Sequence, residues 1–351
     1  MKPEDRFVER LRALIPPSPC VLLPPGDDAA VVARAEGPLA ATTDVLVEGV
    51  DFLPGEDPER LGRRAAAVNL SDLAAIGARP EFFLLSVAFP AGRGEEFPLA
   101  VARGAIARAG EFGASLIGGD LSSAEQTMIA IALWGRPEAE PITRSGARPG
   151  DAVYVSGSLG QAAAGLRLAR ILAAFAEHGS VATPRFPSLS PADQDTLLAA
   201  YHDPAPRVPL GLALARHRLA TAAIDVSDGL GVDAGRLAAA SGARVVLERD
   251  RIPLSRAVRS LADTEALDPL GLALAGGDDY EILFTVSEDA RAALEAHRPE
   301  LGVAVTRIGR VEEGRGAVLR DGRGERDVSG LGHDHFEDSR PSPRDEPYER
   351  A

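Results

Sequence analysis

Two rhythms of apolar residues alternate along the chain. Apolar residues at helical spacing cover 2–14 and 95–112. Continuous apolar runs, EFFLLSVAFP at 81–90 and TMIAIALWG at 127–135, read as buried strands. Further strands are predicted at 39–52, at 114–123 up to the turn Gly118-Gly119-Asp120, and after the Gly-Asp-Asp turn in 24–33. The stretch AAAVNLSDLAAIGARP at 65–80 reads as a helix. Asp57-Pro58 supply its N-cap and first turn, and Gly77 and Pro80 its stop. Nearly every side chain in it is small or apolar, so partners pack on almost all sides. Asp72 sits in its middle, where an ionised carboxylate needs compensation. It either caps a local turn with Ser71 or serves as a metal ligand.

The pattern changes near 138–151, rich in Pro, Gly and charge, where a domain boundary is expected. Beyond it come a strand at 152–156, a helix over 157–172, and a Pro- and Ser-punctuated surface insertion with a short helix at about 176–205. Residues 221–242 read as strand, acidic turn and helix, and 245–254 as strand then turn. Residues 267–286 read as helix, Gly-Gly-Asp-Asp turn and strand, followed by a helix over 287–297 and a hairpin over 303–319. The expected domains are 1–145 and 146–336, with a disordered tail at 337–351.

Composition narrows the chemistry. The 351 residues are enough for two cores, and 52 acidic against 38 basic residues leave a net charge of −14. That argues against nucleic-acid or anionic-membrane surfaces, and a cytoplasmic location is expected. The N-terminal segment is charged and amphipathic rather than signal-like, and no run is long enough to span a bilayer. The single Cys20 rules out a disulfide framework. Lys2 is the only lysine, which removes a P-loop, a Schiff base and a kinase Lys–Glu pair. Positive contacts to phosphate must then come from Arg or metal, with Arg144 the best-placed arginine.

Six loops set Asp beside Gly, Ser or Thr: 26–28, 42–44, 71–72, 118–120, 225–229 and 276–279. Any one could be an ordinary Asx-turn. Together they concentrate carboxylates that repel unless cations share them. Hard oxygen donors without His or Cys select Mg²⁺ or Ca²⁺, and Mg²⁺ completed by phosphate oxygens belongs to nucleotide chemistry. The turn Ser156-Gly157-Ser158-Leu159-Gly160 is like a phosphate cradle but lacks dinucleotide glycine spacing.

Seven motifs in order, PPGDDAAVV, TTDVLVEGVDF, AVNLSDLAAIGARP, LIGGD, TRSGARPGD, AIDVSDGL and AGGDDYEILF, resemble the thiamine-monophosphate kinase family. That family belongs to the superfamily of aminoimidazole ribonucleotide synthetase and selenophosphate synthetase. The resemblance runs from about residue 7 to 336. It implies an α/β fold of the α+β type, with two domains of mixed sheets flanked by helices. It implies γ-phosphoryl transfer from ATP to thiamine monophosphate, in line and without a phosphoenzyme, with several Mg²⁺ ions. It further implies a homodimer paired through its N-terminal sheets, with ATP in a cleft there. By position, Asp28, Thr42, Thr43, Asp44, Asp72, Asp120, Asp225 and Asp228 match metal ligands. Gly119, Asp120, Arg144 and Ser227 match nucleotide contacts, and Asp51, Asp278 and His333 fall at the acceptor. Asp72, Asp120, Asp228 and Arg144 are the expected catalytic set. The small-residue helix would let Asp44, Asp72 and Asp120 reach one group of ions. The family often has His in place of Asp51, Glu in place of Asp278, and an aromatic in place of His333.

Two alternatives remain beside this reading. One is another ATP-dependent synthetase of the superfamily; selenophosphate chemistry would want a reactive Cys with a nearby Lys, which Cys20 lacks. The other is a non-catalytic nucleotide-binding regulator, which could dispense with several of the Asp ligands.

Overall fold

The structure is a computed structural model and describes residues 3–19, 21–23, 30–33, 37–177, 186 and 188–333. Asp28, Cys20 and the expected tail lie outside the described residues. The first half comprises α1 (Pro3–Leu14), β1 (Val21–Leu23), β2 (Val31–Val32), β3 (Ala40–Val47), α2 (Pro58–Ala75), β4 (Ala78–Phe89), α3 (Glu96–Gly110), β5 (Ser115–Ser123) and β6 (Met128–Pro137). The second comprises β7 (Ala152–Ser156), α4 (Gln161–Glu177), α5 (Pro191–His202), α6 (Val208–Arg216), β8 (Ala222–Val226), α7 (Leu230–Ser241), β9 (Arg244–Glu248), α8 (Arg256–Thr264), α9 (Pro269–Ala275), β10 (Glu281–Val286), α10 (Arg291–Ala296), β11 (Val305–Glu312), β12 (Gly316–Asp321) and β13 (Gly324–Asp327).

Two sheets organise these elements. The first has the order β3-β6-β4-β5, and the second β13-β12-β9-β11-β7-β10-β8. Both mix pairings: β4 with β5 and β9 with β12 are parallel, while the other pairs in these sheets are antiparallel. One core joins them, because Leu46, Phe83 and Ile131 of the first sheet pack through α2 and α6 onto Tyr154 and Phe284 of the second. On the second sheet's other face, Val153, Val155 and Ile224 pack against Leu230 and Leu237 of α7 and Leu274 of α9.

Helix α2 lies between the sheets, which explains its small, apolar sequence. Asp57 caps it as expected, accepting a hydrogen bond from the Arg60 amide at 2.9 Å. Gly77, at φ +71°, turns the chain out of it. Helix α3 crosses it closely: a Cβ on Gly62 would lie 1.9 Å from the Val101 carbonyl oxygen, and one on Gly104 1.8 Å from that of Glu59.

Several local expectations are corrected. Pro80 does not stop α2 but lies inside β4, which begins at Ala78. Gly118-Gly119-Asp120 does not end its strand, because Ser122 and Ser123 still pair with Ala88 and Phe89. The 303–319 stretch is not a hairpin: β11 and β12 pair with opposite edges of β9, and the hairpin is β12–β13. Helix α8 had no counterpart in the sequence reading. The 176–205 stretch is not all surface, since Leu197 and Tyr201 of α5 are fully buried. No helix among the described residues is long and apolar enough to cross a membrane.

Candidate active site

Strand alternation on β3 sorts its polar residues by face. Asp44 shares a transverse row with Ile131 and Leu85, which are buried on the inner side beneath α2. The Thr42 hydroxyl, on that same side, donates to the Asp72 carboxylate. Asp44 and Asp72 stand close together, and the charge of Asp72 raises the pKa of Asp44. From the second sheet, Asp225 near the end of β8 accepts from the Ser71 hydroxyl at 2.8 Å. Adjacent residues of α2 thus join carboxylates from both halves of the chain. A cavity of about 260 Å³ opens here, lined in part by Thr42, Asp72, Arg144 and Asp225.

The electrostatics are those of carboxylates crowded together in a buried site. Burial first, then the charges of Asp72, Asp228 and Asp51, raises the pKa of Asp44 to about 7. Burial, then Asp72, raises that of Asp225 to about 8, although the Ser71 hydrogen bond opposes the shift. Asp72 is also raised by burial, against the Thr42 hydrogen bond and the positive charge of Arg144. Among the described residues no three carboxylates of this cluster bring oxygens within 4.8 Å of one another. The donor set fits Mg²⁺, a hard ion that takes one or two carboxylates and completes its shell with water and phosphate oxygens.

The second half supplies the rim. Asp228 pairs with Arg236, and the buried Asp233 accepts from the Ser227 and Asp228 amides at 3.1 and 3.0 Å. The Asp278 amide donates to the Ser227 carbonyl at 2.8 Å, and the His333 amide to that of Asp228 at 3.0 Å. Ser227, Asp228, Asp278 and His333 therefore stand together. Asp51 closes the turn after β3, accepting from the Val47 amide at 2.8 Å, and its charge reaches Asp44.

Other expected residues stand apart from the inner row. Thr43 faces outward, its hydroxyl donating to the Ile131 carbonyl at 2.9 Å. Gly119 is level with Leu85 in the row of Asp44. Asp120 is level with Ser86, Ala130 and Val45, the row on the sheet's other face. The turn at 156–160 is not an open cradle, because Asp279 accepts from the Gly160 and Ala162 amides at 2.6 and 3.1 Å.

Sequence reasoning missed Ser71, Asp233 and Arg64 as parts of the site. Ser71 and Asp233 stood inside the noted motifs or just beyond them; the partner of Arg64, Asp278, is 214 positions away. The other metal-capable group among the described residues is His217, His297 and Glu300. Its two rings stack 3.8 Å apart and 18° from parallel, so their lone pairs do not converge on one ion. One nitrogen of each ring, His217 Nε2 and His297 Nδ1, instead meets a Glu300 oxygen, at 3.0 and 2.9 Å.

Comparison with known proteins places the fold and the sequence. Residues 26–136 match the AIR synthase related protein N-terminal domain, and 148–322 the corresponding C-terminal domain. The thiamine-monophosphate kinase of Salmonella typhimurium is 38% identical over 89% of this chain and 91% of its own length. The crystal structure of thiamine-monophosphate kinase from Stenotrophomonas maltophilia K279a superimposes with a TM-score of 0.76 at 36% identity, covering 89% of this chain and 95% of that one. The structure of AaThiL complexed with AMPPCP and TMP has a TM-score of 0.74 at 32% identity, over 88% of this chain and 91% of the other. With its two-domain fold and its Asp-rich cleft, the chain belongs to the thiamine-monophosphate kinase family.

Proposed function

We propose that this chain transfers the γ-phosphoryl group of ATP to the phosphate of thiamine monophosphate, giving thiamine diphosphate and ADP. The observation that carries the reading is the meeting of Asp44 and Asp72 with Asp225 beside a cavity that Arg144 also lines. In the reaction the bond from the γ-phosphorus to the β-bridging oxygen breaks, and a bond to an acceptor phosphate oxygen forms. That acceptor oxygen is already ionised at neutral pH, so no strong general base is required. Catalysis rests on alignment and electrostatics, by direct in-line transfer without a phosphoenzyme.

The residues divide the work. Asp28, Thr42, Thr43, Asp44, Asp72, Asp120, Asp225 and Asp228 supply hard oxygens for several Mg²⁺ ions. Bound Mg²⁺ would offset the phosphate charges that an acidic cleft otherwise repels. Gly119, Asp120, Arg144 and Ser227 hold the nucleotide, and Arg144 contributes a fixed positive charge. Asp51, Asp278 and His333 orient the acceptor. Thr43 and Asp120 stand on the sheet's outer face, where Val45 and Met128 are 46% and 42% exposed. Pairing of two such faces in a homodimer buries these apolar side chains.

The test is acceptor-dependent ADP release. Purified protein with MgATP should release ADP and form thiamine diphosphate only when thiamine monophosphate is added. Asp72→Asn should lower this turnover about 100-fold or more while leaving thermal unfolding unchanged. Turnover with another acceptor alone overturns the substrate, and wild-type turnover by Asp72→Asn overturns the ligand role.

A further inference from the structure

Arg64 of α2 is only 1% exposed, yet it is not matched by a full set of partners. Its Nη2 donates to Asp278 Oδ2 at 3.1 Å, while Nε and Nη1 have no hydrogen-bond partner among the described residues. Its guanidinium carbon lies 4.5 Å from the centroid of the Tyr201 ring. Burying a cation with one carboxylate and two unsatisfied nitrogens is unfavourable compared with an apolar side chain of similar size. The charges of Asp278, Tyr201, Tyr280 and Glu56 favour the cation, yet its hydrogen-bonding capacity is only partly used.

Its two partners belong to different elements. Tyr201 belongs to α5, inside the 176–205 stretch, and is itself anchored to the first half of the chain. The Tyr201 hydroxyl donates to Glu56 at 2.6 Å, and the neighbouring Asp203 accepts from Arg63 at 3.0 Å and also pairs with Arg108. Asp278 is the carboxylate that Arg64 meets. Its backbone is left-handed at φ +69°, and its second carboxylate oxygen accepts from the Tyr280 hydroxyl at 3.0 Å. Tyr280 is left-handed too, at φ +50°. Two exceptions of this kind, two residues apart and both non-glycine, persist only where the surroundings over-determine them, as at functional sites.

We propose that Arg64 is a positioning residue for the phosphate acceptor: clamped by Tyr201 of α5, it fixes the carboxylate of Asp278 at the acceptor's side of the cleft. The inference rests on the proposed function, in which Asp278 contacts the acceptor. It also assigns α5 a task, that of holding Arg64 in place from behind. Arg64 bonds the Asp278 carboxylate, whereas Ser227 meets only the Asp278 backbone amide, so the effect of Arg64 falls on the carboxylate. Without Arg64, Asp278 Oδ2 loses this charged partner and the carboxylate is held less firmly, so acceptor binding weakens while ATP binding does not.

The test uses full-length wild type, Arg64→Lys and Arg64→Met. Lysine keeps the charge but loses the fork and the stacking; methionine loses all three. KM for thiamine monophosphate should rise severalfold in Arg64→Lys and about tenfold or more in Arg64→Met, with KM for ATP unchanged. Calorimetric titration of thiamine monophosphate without ATP should show the same order in Kd. Asp278→Asn should make the Arg64→Met change silent in the double variant. Equal rises in both KM values, or an unchanged acceptor Kd in Arg64→Lys, overturn the proposal, and the second outcome decides it even if Arg64→Met fails to fold. Acceptor binding that weakens as described in a protein without turnover would overturn the proposed reaction and leave the role of Arg64 standing.

Discussion

Asp72 shows how one residue changes meaning with its surroundings. In the sequence it is a carboxylate in an apolar helix; in the fold it sits against Asp44 and Thr42, beside Ser71, which holds Asp225. Without cations this arrangement favours protons. Asp44 and Asp225 keep theirs up to about pH 7 and about pH 8, against a reference value of 3.8. The folded chain then binds more protons than the unfolded chain between these limits, so metal-free stability falls as pH rises through that window. Bound Mg²⁺ would take the place of the protons. Thermal unfolding should therefore show stabilisation by Mg²⁺ of about 5 °C or more at pH 8 and little at pH 5.5. Asp225→Asn should flatten the pH dependence measured in chelator. Equal stabilisation by Mg²⁺ at both pH values would contradict the cluster's proposed role.

At the scale of elements, α2 is the part whose placement matters most. Its closeness to α3 depends on two glycines facing backbone carbonyls. Gly62→Ala should cost about 1–3 kcal/mol, because the added methyl meets the Val101 carbonyl and the helices must part. Gly110→Ala, at the open end of α3, meets nothing within 4 Å and should be neutral or stabilising by about 0.4–1 kcal/mol. Urea unfolding midpoints of the two variants decide the matter, and equal midpoints would refute the close-packing account. The same scale separates what could be read in the sequence from what could not. The cap at Asp57-Pro58 and the strand–turn–helix of 222–241 are local patterns, and the chain follows them. The order β12-β9-β11 is not local: adjacent strands at 305–321 look like a hairpin until β9 claims both. Nor could burial pattern alone show that Asp44 and Asp120 lie in rows on opposite faces, since that depends on cross-strand register. The resemblance supplied residue types in order, whereas the Arg64–Asp278 pairing required the fold.

For the whole molecule, the chain puts its anionic cleft between two halves and leaves apolar side chains on the outward face of the first sheet. Val45→Asp should convert the proposed homodimer to monomers by sedimentation equilibrium, with loss of turnover; a variant of unchanged mass would show that this face is not the interface. The central claim is that the cleft aligns ATP with a phosphate acceptor for direct transfer. The most direct measurement is the fate of the γ-phosphoryl group when ATP labelled there is incubated with the protein, Mg²⁺ and thiamine monophosphate. The label should appear in the terminal phosphate of thiamine diphosphate, in a one-to-one ratio with the ADP formed and with none left on the protein. Label recovered as inorganic phosphate or on the protein itself, with thiamine monophosphate unchanged, would contradict it.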